Sequence, residues 1–152
     1  MRAEMDSVHM KQLLAYLHPA LQVLVLLLAL ATLRLGLALK KHRVRSRHLQ
    51  ERRHIFERHV QLGLLFIGCL CGGYVLGLLS MPLFREQAPF RSAHFFFATL
   101  ALLLFLGGGY AGWRLTQGTK NYADVRDIHG FMVYLGLFIS LGVAVMGFIL
   151  LP

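Results

Sequence analysis

The chain has 152 residues, 57% of them hydrophobic and only 15% charged, whereas soluble domains average ~45–50% apolar and ~25% charged. This composition excludes a disordered, collagen-like or disulfide-stapled chain and argues against a soluble globular one. The net charge of +9 would by itself suit nucleic acid, but most of it lies between two apolar runs.

Residues 1–17 read as an amphipathic N-terminal segment that carries His9. A first apolar span follows over 18–39. Residues 40–58, KKHRVRSRHLQERRHIFER, set eight Lys and Arg against Glu51 and Glu57, so they hold six of the nine net charges. A short basic stretch between apolar spans follows the positive-inside rule, which makes it a cytoplasmic loop and puts both chain ends outside. Contact with anionic headgroups is compatible with that placement. Nucleic acid is not expected as a partner, because the stretch lacks the interleaved aromatics of a base-stacking platform.

A second span covers 59–79 and is closed by Met81 and Pro82. A third covers 94–113 and a fourth 129–151. Each is long enough to cross a hydrocarbon core of roughly 30 Å as a helix. The short connections 80–93 and 114–128 make consecutive helices antiparallel neighbours. The expected fold is an all-α, integral-membrane, four-helix up-down bundle over residues 18–152.

Eight histidines divide into two sets. His9, His42, His48 and His54 fall in polar segments and read as surface groups. His18, His59, His94 and His129 each stand at the N-terminal edge of a span. The positive end of the helix dipole disfavours imidazolium there, and neutral imidazole suits metal ligation. At 100° per residue the His18 face carries Gln22, Val25, Ala29, Thr32 and Gly36. The His59 face carries Gly63, Phe66, Leu70, Gly73 and Gly77. The His94 face carries Ala98, Ala101, Phe105, Gly108 and Gly112, and the His129 face Val133, Gly136, Ser140 and Gly147. A glycine thus follows every one of these histidines by 18 residues, about five turns or 27 Å. Close helix packing through small residues is the plainer explanation of the glycines.

In an up-down bundle the first and third helices are diagonal partners, as are the second and fourth. His18 then faces His94 at the outer end, and His59 faces His129 at the inner end. Each pair would supply two axial ligands to a planar macrocycle, with Gly36 and Gly112 at the inner end and Gly77 and Gly147 at the outer end leaving room for its edge. The expected cofactors are two b-type haems. No CxxCH motif occurs for covalent attachment, and no Asp or Glu lies in the spans for a di-iron site. Cys69 and Cys71 read as packing residues. Arg34, the one charge well inside a span, is a candidate partner for an inner haem propionate, with snorkelling to headgroups as its alternative. Trp113 and Arg114 could share that role, and Arg85 and Arg91 could meet propionates outside.

With these four histidines and their small-residue faces, the chain resembles the cytochrome b561-type superfamily of di-haem membrane proteins. The HPALQ stretch at His18 and the RH-x-QLG stretch at His59 also resemble a small four-helix membrane family of phototrophic bacteria related to it. The resemblance covers residues 18–151 and implies transmembrane electron transfer. The larger members have six helices and ascorbate-facing surface residues, neither of which is found here. Donor and acceptor therefore do not follow from it. A quinone or a redox protein is the expected partner, with the chain acting as a subunit of a larger membrane complex. The alternatives are a stand-alone ferric or quinone reductase and a haem-free assembly subunit.

Overall fold

In a computed structural model, residues 16–45, 49–84 and 92–149 are described. They form four helices: α1 (Leu17–Arg45), α2 (Leu49–Phe84), α3 (Ala93–Thr116) and α4 (Tyr122–Ile149). All four are long and apolar enough to cross a membrane, and no strand occurs among the described residues. Large apolar side chains point outward along every helix, such as Leu64, Phe138 and Phe148, the last 76% exposed. A soluble surface does not carry so much contiguous apolar area, whereas a lipid-facing one requires it. The chain is a multi-pass membrane protein.

The expected spans are recovered, but the helices overrun them. α1 continues to Arg45 and α2 begins at Leu49, so most of the basic 40–58 stretch is helical rather than a loop. Its composition accounts for this: LQERRHIFER is rich in helix formers, has Glu51 in the first turn, and closes an Arg53–Glu57 pair one turn apart at 2.9 Å. Pro82 does not end α2, which runs to Phe84 around it. α3 starts where the Ser92 hydroxyl accepts a bond from the Phe95 amide at 3.2 Å. It ends at Gln117, after which Gly118 takes the left-handed conformation (φ 73°) that lets the chain reverse within five residues. The N-terminal segment through residue 15, with His9, and also His48, Arg85 and Arg91, lie outside the described residues.

α1 packs along α2, and α3 along α4, while the two hairpins meet far more sparsely, chiefly through α2 and α3. Among the described residues the backbones of α1 and α3 stay apart, as do those of α2 and α4, so these are the diagonals. Val25, Ala29, Phe66, Ala101 and Phe105 form the buried core, a slab at mid-height. The Phe66 and Phe105 rings meet edge to face across the hairpin seam, centroids 4.9 Å apart. Phe105 lies against Gly136, where a Cβ would come within 3.1 Å of the ring. Cys69 packs against this slab, and both cysteines are free thiols. Tyr74 and Thr99 join the hairpins by a 2.7 Å hydroxyl–hydroxyl bond.

The two seam contacts differ in worth. Tyr74→Phe should cost about 0.6 kcal/mol, the usual value of an interhelical side-chain bond in a membrane protein. Phe105→Ala, which empties the slab, should cost roughly 3 kcal/mol or more. Unfolding by SDS titration in mixed micelles measures both.

Candidate functional site

His18 and His94 stand in the first turns of α1 and α3. His59 and His129 do not: ten residues of α2 and seven of α4 precede them. The dipole argument from helix starts therefore applies to two of the four. A different interaction unites them all. Each imidazole Nδ1 lies within hydrogen-bond distance of a backbone carbonyl on the antiparallel partner helix: His18 to Gly73 at 3.0 Å, His59 to Thr32 at 3.1 Å, His94 to Val143 at 3.1 Å and His129 to Gly108 at 2.7 Å. A carbonyl oxygen only accepts, so Nδ1 carries the proton in each bond. In a neutral ring the lone pair is then on Nε2, the nitrogen left for a metal.

One helical turn beyond each accepting residue comes the glycine singled out by its spacing: Gly77, Gly36, Gly147 and Gly112. The imidazole occupies the space where that residue's side chain would stand. A Cβ at Gly77 would lie 2.5 Å from His18 Cε1, one at Gly147 3.0 Å from His94 Cε1, one at Gly112 3.1 Å from His129 Cε1, and one at Gly36 3.3 Å from His59 Cε1. Sequence alone assigned this room to the edge of a macrocycle; in the structure an imidazole fills it. The relation is reciprocal within each hairpin, since each helix gives a histidine to its partner and a carbonyl and glycine in return. This fixes both pairs as antiparallel, in one register.

Across the hairpins the His59 and His129 rings come together with centroids 6.2 Å apart and planes at 87°. They belong to diagonal helices, as the bundle argument requires. Because α1 and α3 run opposite to α2 and α4, His18 and His94 share the other end. All four side chains are half-buried. Among the described residues no group of three or more His, Cys, Asp and Glu is placed to hold a metal ion. Two imidazoles suit a metal whose remaining ligands arrive with a macrocycle; zinc would want four ligands from the protein.

Arg34 is exposed, on the α1 face turned away from His18, and makes no hydrogen bond or ion pair among the described residues. The structure does not bring it to the histidines, and an arginine so placed extends to the headgroups. Trp113 and Arg114 likewise lie on the outward side of α3. What sequence reasoning missed are the acceptors Thr32, Gly73, Gly108 and Val143, each 14 residues after its own helix's histidine. Comparison with known protein families, with curated proteins and with solved structures finds no match for this chain.

The four glycines differ in clearance, so alanine there should cost in that order. Gly77→Ala, facing the His18 ring, should destabilise by about 3 kcal/mol and Gly36→Ala by about 1 kcal/mol, the two ends of the usual overpacking range. Thermal unfolding of the purified variants ranks them.

Proposed function

We propose that the chain is a transmembrane electron-transfer cytochrome that holds two b-type haems, one between His18 and His94 and the other between His59 and His129. The observation that carries this reading is the shared state of the four imidazoles. Each is tied through Nδ1 to a carbonyl, which fixes ring orientation and leaves Nε2 to ligate. The His59–His129 separation of 6.2 Å supports it as well. With metal–imidazole bonds of about 2 Å, two rings on opposite sides of one metal have centroids roughly 6 Å apart. The sparsely packed seam between hairpins is where a flat macrocycle would enter.

Haem held by these histidines would supply one-electron transfer. The chain's own residues do the rest. The carbonyl acceptors raise the basicity of the imidazoles. The Phe66–Phe105 slab keeps water out of the space between the two ends. The glycines let the rings lie close against the partner helix. The arrangement is the one implied by the resemblance to the cytochrome b561-type superfamily, with the basic stretch on the cytoplasmic side by the positive-inside rule. A membrane quinone or a redox protein is the proposed partner, and a subunit of a larger complex is the proposed context. A second reading, a haem-free assembly subunit, draws on the same bonds, because a histidine donating to a carbonyl across helices is also a packing device.

A dithionite-reduced minus oxidised spectrum of the detergent-purified protein, with haem quantified per chain, separates the two. The cytochrome should show a low-spin b-type spectrum at about two haems per chain, falling to about one in His18→Ala and in His59→Ala. A folded protein from haem-replete cells that carries no haem would leave the assembly reading.

A further inference from the structure

We infer that the α3–α4 turn forms a binding site for the phosphate headgroup of an anionic phospholipid. A cavity of about 500 Å³ opens there, between the last turn of α3 and the turn itself. Tyr110 and Trp113 form its apolar wall, with rings 5.9 Å apart and both more than half exposed. Arg114 and Lys120 line it, together with Thr119 and Asn121, and no carboxylate does. The left-handed Gly118 folds the chain back so that Lys120 comes beside Arg114. Thr119 Oγ1 accepts a bond from Arg114 Nη2 at 3.4 Å, which holds the guanidinium at the cavity.

The charges around the turn sort themselves. Asp127 is paired with Arg126 at 2.6 Å, and Asp124, in the first turn of α4, does not line the cavity. Arg114 and Lys120 have no ion pair among the described residues. Two cations without an ion pair among the described residues therefore line one concavity. Guanidinium and ammonium together fit a phosphate oxyanion.

The wall identifies the source of that phosphate. Paired Trp and Tyr on a lipid-facing helix end mark the level where acyl chains meet headgroups. A soluble phosphate would gain nothing from them, whereas the glycerol and upper acyl region of a phospholipid would lie against both rings. The turn is also on the same side of the bundle as the basic α1–α2 connection, since α1 and α3 run in the same direction. Both features thus address one leaflet. The site faces away from the histidines and does not depend on what they bind.

The test is native mass spectrometry of the full chain in detergent, titrated with phosphatidylglycerol and, separately, with phosphatidylcholine. The tightest phosphatidylglycerol step should weaken about 30-fold in the Arg114→Gln/Lys120→Gln variant and about 5-fold in Lys120→Gln alone. It should survive in Arg52→Gln/Arg53→Gln, which thins the charge of the basic connection. Lys120 lies in an exposed turn, so its single variant carries the test if the double variant fails to fold. Unchanged binding in Lys120→Gln, or equal affinity for phosphatidylcholine, overturns the proposal. So does displacement of the lipid by millimolar inorganic phosphate, which would make this a free-phosphate site.

Discussion

The bundle depends on one interaction, an imidazole Nδ1–H given to a carbonyl of the neighbouring antiparallel helix. Within a bilayer no water is at hand to satisfy an imidazole. The carbonyls of the next helix are already engaged in its own ladder, but each has a second lone pair. Reaching it requires the ring to lie flat on the helix surface one turn further on, and only glycine leaves that surface bare. Because the exchange is mutual, the distance from histidine to glycine must be the same on both helices of a hairpin. Both hairpins use 18 residues, and at one end they bring His59 and His129 together.

The common offset was legible in the sequence because glycine and histidine are distinctive residues. The faces drawn from it also held, since Val25, Ala29, Phe66, Ala101 and Phe105 are the core. The acceptors were not legible. Thr32, Gly73 and Gly108 lay on the histidine faces already drawn, but with Val143 they share no common side chain, because their backbone does the accepting and a backbone oxygen leaves no mark on residue type. The helical basic stretch escaped for a different reason. Hydropathy locates where a helix leaves the apolar core, and it says nothing about where the helix stops. Only the Arg53–Glu57 spacing carried that information. Arg34 is exposed on the α1 face turned away from His18, a placement that suits the headgroup alternative.

As a proposed electron carrier the molecule has a simple plan. Two pairs of imidazoles stand at opposite ends of the helices, each bonded to a carbonyl 14 residues, or about 21 Å, along from its partner's own histidine. Between them lies a dry aromatic and aliphatic slab. Nothing among the described residues resembles a soluble catalytic domain, so exchange with a partner would take place at or within the membrane. The cationic turn after α3 and the basic α1–α2 connection lie at the same end of the bundle.

The way the contacts are distributed also bears on assembly. All four histidine bonds close inside a hairpin, and none is needed to bring the halves together. Each hairpin therefore holds its own histidine bonds whether or not the other is beside it. The halves meet through the mid-height core, the Tyr74–Thr99 bond and the His59–His129 contact. A seam so sparsely packed is the part of the bundle that separates with least loss, and a flat ligand of the proposed kind would enter there sideways from the lipid.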